Sequence, residues 1–179
     1  MEAPWEGLGV FSEGHRPSAG QLDDARRTRS AAAVSEESVS GPECHSVKVI
    51  EAAGDVSVGE LQVWEEAPGN AGAVLVRLVL GGEVVQAVAE ECFAALVVIR
   101  RALEAAGRLL VCNGSSLDVY PSGMSRSMGA GQKAYRLTMG RQALMADLVS
   151  IFETAPGVRP SRVDEQAAYF EEWIASLRG

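Results

Sequence analysis

The stretch EVVQAVAEECFAALVVIRRALEAAG, residues 83–107, decides the expected fold because it carries the clearest helical periodicity in the chain. Its apolar residues recur at intervals of three and four, the spacing of one face of an α-helix. They are Val85, Val88, Cys92, Leu96, Ile99 and Leu103. Gly107 is typical of the residue that follows a helix C-terminus. The pattern predicts one long amphipathic helix that begins after Gly82 and packs a broad apolar stripe against a sheet.

Strand patterns precede this helix. Residues 47–50 and 61–65 place apolar side chains at alternate positions, as in half-buried strands. Residues 73–80 are nearly all apolar and rich in β-branched side chains, which indicates a strand in the interior of a sheet. The intervening Pro68–Gly72 segment has strong turn chemistry. Together these residues predict a hairpin whose second strand lies centrally.

Shorter strands and a second helix are expected after residue 107. The predicted strands are residues 108–112, 117–120, 133–139 and 148–152. Ser161 is the expected N-cap of the C-terminal helix, with Asp164 three residues later. Its apolar line is Val163, Ala167, Phe170, Ile174 and Leu177. The expected fold is α+β, with a mostly antiparallel sheet of about five or six strands packed by two amphipathic helices.

The first 45 residues have no sustained periodicity and are rich in Gly, Ser, Ala and charge. Such a segment buries too little apolar surface to offset the entropy lost on ordering. We therefore predict a disordered, low-order N-terminal arm over residues 1–45 and a single domain over residues 46–179. An alternative is that Trp5 and Phe11 anchor the arm to a partner as a docking peptide.

Composition limits the class of protein. A net charge of −8 argues against a nucleic-acid binder, which needs clustered cations. No apolar run approaches the roughly 18 residues of a membrane-spanning helix, and the acidic N-terminus is unlike a secretory signal. These features predict a cytoplasmic protein that binds neither nucleic acid nor membrane. Three cysteines without paired spacing fit reduced thiols, and the Cys44-His45 pair lacks the further ligands of a metal site.

Signatures of catalysis are missing from the sequence. The only histidines are His15 and His45, so the predicted domain contains no histidine base from Ser46 onward. This weakens mechanisms that use a Ser-His or Cys-His pair. No HExxH, CxxC, GxSxG or EF-hand pattern occurs. We expect a protein without cofactor, metal or assigned catalytic residues, and the balance leans away from an enzyme.

The glycine-rich segment over residues 120–136 has two interpretations. It could be a hairpin connection, which is the commoner case, because its Gly-Gln-Lys-Ala run departs from a phosphate-binding loop in both sequence and context. It could instead form a basic, hydrogen-bonding rim for a nucleotide, a phosphorylated ligand or an acidic partner. The rim residues would be Tyr120, Ser122, Arg126, Lys133, Tyr135 and Arg136.

A second candidate surface is acidic. Its residues are Glu60, Glu65, Glu66 and Glu90, with Glu83 and Glu91 nearby in sequence. These side chains would present a negative surface to a basic protein, or they would be an ordinary solvated face. No spacing among them places two as a catalytic pair.

The runs RLLVCNGSSLDVYPSGMSRSMGAGQKAYRLTMG (108–140), DLVSIFE (147–153) and EQAAYFEEWIASL (165–177) resemble small single-domain actinobacterial proteins of the toxin-immunity type. The resemblance implies a non-enzymatic bacterial domain that binds a cognate toxin. It carries no site residues with it. The alternatives are an enzyme or nucleotide-binding module that uses residues 120–136, and a subunit of a larger protein assembly.

Overall fold

The computed structural model describes residues 41–178, which form two antiparallel sheets and three α-helices. The larger sheet has five strands in the order β4-β3-β2-β1-β5. Their bounds are β1 Glu43–Ile50, β2 Val56–Trp64, β3 Val74–Leu80, β4 Glu83–Ala89 and β5 Leu109–Val111. The predicted N-terminal arm lies outside the described residues, except that β1 begins at Glu43, ahead of the predicted domain start.

The smaller sheet has three strands in the order β6-β7-β8. Its strands are β6 Val119–Tyr120, β7 Lys133–Arg136 and β8 Leu148–Ser150, and the helices are α1 Cys92–Ala105, α2 Gly123–Met128 and α3 Val163–Ser176. Two 3₁₀ turns, Asn113–Ser115 and Met145–Asp147, precede β6 and β8. The α+β class is confirmed. The strands divide between two sheets because β6, β7 and β8 pair with one another and not with β1 to β5.

The prediction of a helix from residue 83 is wrong for its first third. Residues 83–89 form β4, which pairs with β3 from Leu80↔Glu83 to Val74↔Ala89. Gly81 and Gly82 have φ of 56° and 91°, the left-handed pair that a two-residue hairpin turn requires. Such a turn folds the chain straight back along β3, so the β-branched residues Val84, Val85 and Val88 add to the sheet. The helix begins only after Glu91, whose side chain caps it.

The core lies between the five-stranded sheet and α1. One face of the sheet is buried, with Val49, Leu61 and Val76 all fully covered. Leu96 and Ile99 of α1 are equally buried and belong to the same apolar cluster. No other described helix makes comparable contact with this sheet, because α3 packs against α1 and β6. The opposite face of the sheet therefore keeps exposed apolar residues, which are Val56, Val58, Val84 and Val88.

The C-terminal helix is attached by buried polar contacts as well as apolar ones. Arg100 of α1 is 1% exposed and donates to the carbonyls of Gly114 and Ser161 and to Oε1 of Gln166. The amide nitrogen of Gln166 donates in turn to three backbone carbonyls, of Gly114, Ser116 and Val119. Burial lowers the pKa of the Arg100 guanidinium. We call Arg100, Gln166 and these carbonyls the buried polar network, which joins α1, the segment before β6 and α3.

The predicted N-cap of α3, Ser161, lies one residue before the observed one. The N-cap is Arg162, whose N–H donates to the carboxylate of Glu165, 2.8 Å away. The residues of α3 that are buried are Val163, Gln166 and Trp173. Val163 is on the predicted apolar line and Trp173 widens the same stripe, whereas Gln166 is buried because the helix turns it toward the buried carbonyls. Across residues 41–178, no helix has the length and apolarity needed to span a membrane.

Candidate functional site

Strand direction gathers exposed carboxylates at one end of the five-stranded sheet. Glu65 and Glu66 follow β2 directly, and Glu90 follows β4. Since β3 runs antiparallel to both strands, the C-terminal ends of β2 and β4 lie at the same end of the sheet. Glu43 begins β1 opposite Val63, near the end of β2. These four exposed residues, Glu43, Glu65, Glu66 and Glu90, are called the acidic end.

Glu60 is separate from the acidic end. It pairs with Ser46 and Val79 in the middle of the sheet and accepts a hydrogen bond from Gln62. Four residues of strand separate it from Trp64, where β2 ends, a span of about 13 Å. The predicted set of Glu60, Glu65, Glu66 and Glu90 is thus only partly brought together. Sequence reasoning did not include Glu43, because nothing before the strand register connects it to Glu65.

Glu91 is buried behind the acidic end and has a structural role. Its carboxylate accepts the N–H groups of Phe93 and Ala94 at 2.8 and 2.9 Å and so caps α1. The neighbouring Cys92 thiol is buried. Burial first, and then the charges of Glu91, Glu65 and Glu43, raise the pKa of Cys92 to about 12. This thiol therefore stays protonated and unreactive at neutral pH.

The glycine-rich connection lies across the start of α1. The carbonyl of Ala130 accepts the Cys92 N–H at 2.8 Å. Arg126 of α2 pairs with the Glu91 carboxylate at 3.1 Å, and the Gln132 amide donates to Glu65 at the same distance. Gly131 has φ of 67° and is packed so tightly against Glu91 that a Cβ would overlap Oε2 of that carboxylate. The segment is held firmly beside the acidic end.

Backbone N–H groups of this connection are turned inward. Gly129 and Gly131 both donate to the carbonyl of Ser125, and Gln132 donates to the carbonyl of Gly129. A phosphate-binding loop directs consecutive N–H groups at its ligand. The three donors here are already used within the loop, so its geometry differs from that of an anion cradle.

The six predicted rim residues do not form one continuous rim of free groups. Ser122 caps α2 by accepting the Ser125 N–H. Tyr120 stacks on Phe170 of α3, with ring centroids 4.1 Å apart. The hydroxyl of Tyr135 donates to the sulfur of Met145 at 3.5 Å. Each of these rim side chains contributes to internal structure.

Of the three cations of the predicted rim, two are paired with carboxylates of the protein and one is exposed. Arg126 is paired with Glu91, and Arg136 is paired with Asp118 at 3.2 Å. Arg136 also donates to the side-chain carbonyl of Asn113. Lys133 is exposed and has no ion pair within the part of the chain that the structure describes. Two of the three positive charges are therefore neutralised by buried carboxylates.

Apolar side chains are exposed on α2, the short helix that Arg126 attaches to Glu91. Met124 and Met128 lie one helical turn apart on α2 and are 71% and 82% exposed. The Arg126–Glu91 pair fixes this helix next to the start of α1. Methionine adapts its shape readily and is common at protein-binding surfaces. No cluster of three or more His, Cys, Asp or Glu suited to a metal ion occurs between residues 41 and 178.

Comparison of the chain with known proteins assigns no family, because no family model matches it and no curated protein is similar to it. The resemblance to toxin-immunity proteins therefore depends on the residues quoted above. The function is inferred from the geometry of the acidic end and of the segment beside it.

Proposed function

We propose that this protein is a non-enzymatic binding domain, an immunity-type inhibitor whose acidic end covers a basic surface of a cognate bacterial toxin. The observation that carries the proposal is the acidic end, where Glu43, Glu65, Glu66 and Glu90 from three strands come to one exposed end of the sheet. Among them, Glu65 accepts one amide hydrogen bond and Glu43 lies 3.3 Å from His45. Most of their negative charge is thus directed at solvent and at a partner.

Opposite charges on two proteins accelerate their encounter and favour the correct partner over others. The net charge of −8 adds a long-range attraction to any strongly basic target. Met124 and Met128 supply the apolar contacts that charge alone lacks, since tight interfaces have an apolar centre with charges around it. The acidic end, together with the exposed methionines of α2, is suited to binding a protein target.

The competing hypothesis of a phosphorylated ligand at residues 120–136 has less support. Its two arginines are paired with Glu91 and Asp118, and its loop N–H groups are bonded internally. Binding a phosphate there would require breaking these pairs, and would bring an anion beside the acidic end. The negative charges of the phosphate and of the acidic end would repel each other, which opposes binding.

The test is affinity purification from the source organism with the full chain as bait, followed by identification of retained proteins. The test variant is Glu66→Lys with Glu90→Lys, and the matched control is Glu171→Lys with Glu172→Lys on α3, where both residues are also exposed. We expect the wild type and the control to retain the same basic protein, and the test variant to lose it. That protein should be toxic when it is expressed in a host cell. Co-expression of the wild type or of the control should relieve the toxicity, and co-expression of the test variant should not.

Two results would contradict the proposal. The first is that the wild type retains no protein, or that both variants lose the partner equally. The second is a rise in melting temperature with nucleotides or phosphorylated metabolites that is absent in Lys133→Ala, which would favour the ligand-binding alternative.

A further inference from the structure

The outer edge of the five-stranded sheet at β4 has an open set of hydrogen-bonding groups. In a two-residue hairpin the residues that flank the turn, here Leu80 and Glu83, form a hydrogen-bonded pair. Alternation along the strand then directs the N–H and C=O groups of Val84, Gln86 and Val88 away from β3. Among residues 41–178, no backbone group of β4 bonds to any element other than β3.

This edge lacks most of the features by which proteins protect a free strand, and its one charged residue, Glu83, lies at the turn and is paired with Arg108. Such edges carry proline, lysine, a bulge or a very short strand. β4 instead pairs with β3 in seven unbroken steps and contains no proline and no lysine. Two of its side chains on the uncovered face of the sheet are apolar and exposed, Val84 at 53% and Val88 at 40%. The edge therefore has both the backbone groups and the apolar surface needed to pair with another strand.

The sequence of β4 is complementary to itself when two copies run antiparallel. With Gln86 at the centre, Val84 lies opposite Val88 of the second copy, and Glu83 lies opposite Ala89. Glu90 would face Gly82, so no two like charges are directly opposed. The three outward-facing residues of each copy meet one another, which gives about six backbone hydrogen bonds. Every polar group on this edge would then be satisfied.

We propose that the protein forms a symmetric dimer by antiparallel pairing of β4 with β4 of a second copy, which joins two five-stranded sheets into one. The partner is a second copy of this chain because the pairing satisfies backbone, apolar contact and charge at the same register. The dimer leaves the acidic end of each copy on the same continuous sheet. The inference does not depend on the proposed function.

The experiment measures the mass of the full chain by sedimentation over roughly a hundredfold range of concentration. We expect a dimer that dissociates on dilution. Val84→Lys with Val88→Lys places lysines opposite lysines and should weaken association by about tenfold or more. The matched control is Val56→Lys with Val58→Lys, which adds the same charge to exposed positions on the same face of the sheet, in β2.

A mixing experiment removes the possibility that the variant merely misfolds. The variant Val84→Glu with Val88→Glu should also be monomeric, but a mixture of the lysine and glutamate variants should restore the dimer. A dimer that is lost in the β2 control and kept in the β4 variant would overturn the proposal, since the two copies would then pack face to face. A wild-type monomer would overturn it as well. If the amides of Val84, Gln86 and Val88 then resist hydrogen exchange, the edge is covered by the same chain.

Discussion

The buried polar network and the acidic end are both rich in polar side chains, but their groups are used in opposite ways. In the network, Arg100 is 1% exposed and its charge is met by carbonyl and amide oxygens of the protein. At the acidic end, Glu66 and Glu90 are exposed and accept no hydrogen bond from residues 41–178. A charge that the protein itself satisfies serves the fold, whereas a charge left to solvent is available to a partner.

Glu91 lies at the boundary between these two situations. It is 6% exposed, and its carboxylate meets the start of α1 and the Arg126 side chain. Its sequence neighbour Glu90 is directed to solvent. Glu91 therefore stabilises the fold, whereas Glu90 is available to a partner. The two residues are of the same type, and their different burial determines these roles. Substitutions should therefore affect stability at one region and leave it almost unchanged at the other.

The largest effect is expected in the buried polar network. Arg100→Met should lower the free energy of unfolding by about 3 kcal/mol or more, because it leaves buried oxygens of Ser161 and Gln166 without a donor. Arg159→Met is the control, because this arginine is exposed and its substitution should change the free energy of unfolding by at most about 0.5 kcal/mol. Urea unfolding measures both. Equal losses in the two variants would show that the network is not a special determinant of stability.

A smaller loss is expected where the glycine-rich connection meets Glu91. Gly131→Ala should destabilise the fold by about 2 kcal/mol, because φ is 67° and the added Cβ overlaps the Glu91 carboxylate. Gly69→Ala has a similar φ of 76° with open space around it, and should lose only about 1 kcal/mol. The difference between the two melting curves isolates the contact with Glu91. If Gly131→Ala were no worse than Gly69→Ala, the connection would be only loosely held.

The smallest effect concerns a charge pair at the surface. Two hydrogen bonds from Arg108, each 2.8 Å, lower the pKa of Glu83 below its ordinary value of 4.5. A lowered pKa in the folded state stabilises the protein above pH 4.5, and this contribution is lost as the pH falls through the folded value. Because Glu83 is half exposed, the contribution should be about 0.5 kcal/mol or less after screening.

The measurement for Glu83 is the free energy of unfolding against pH for the wild type and for Glu83→Gln. The two curves should differ near neutral pH and converge in acid. A constant difference across the whole range would mean that the Glu83 charge does not contribute through Arg108.

Local patterns predicted most of the elements but not their ends. The turn at residues 68–72, the strand at 74–80 and the C-terminal helix all occur near their expected positions. The helix start was wrong because Val85, Val88 and Cys92 match helical spacing by coincidence, whereas Gly81 and Gly82 hold the turn that makes a strand. Short apolar runs rich in valine fit either structure, and pairing with β3 decided between them.

The candidate site was predictable only in part. The sequence groups Glu65, Glu66 and Glu90, and the strand directions do bring them to one end of the sheet. Glu60 was grouped with them because it is near in sequence, but extended chain carries it along the sheet by about 3.3 Å per residue. Glu43 was left out because only the register of β1 against β2 places it there. The rim interpretation placed Arg126 and Arg136 at a ligand, and the sequence could not show their carboxylate partners because these are distant in the chain.

Composition and periodicity by themselves determined that this chain is acidic, has an α+β core and contains an amphipathic helix that ends before Gly107. These properties depend on residue type and on spacing within one element, which the linear sequence contains in full. Tertiary structure alone decided which charges are satisfied internally and which remain exposed. That distinction depends on contacts between residues far apart in the chain, such as Arg100 with Gln166 and Arg126 with Glu91, and burial sets their free energy only after the elements have packed.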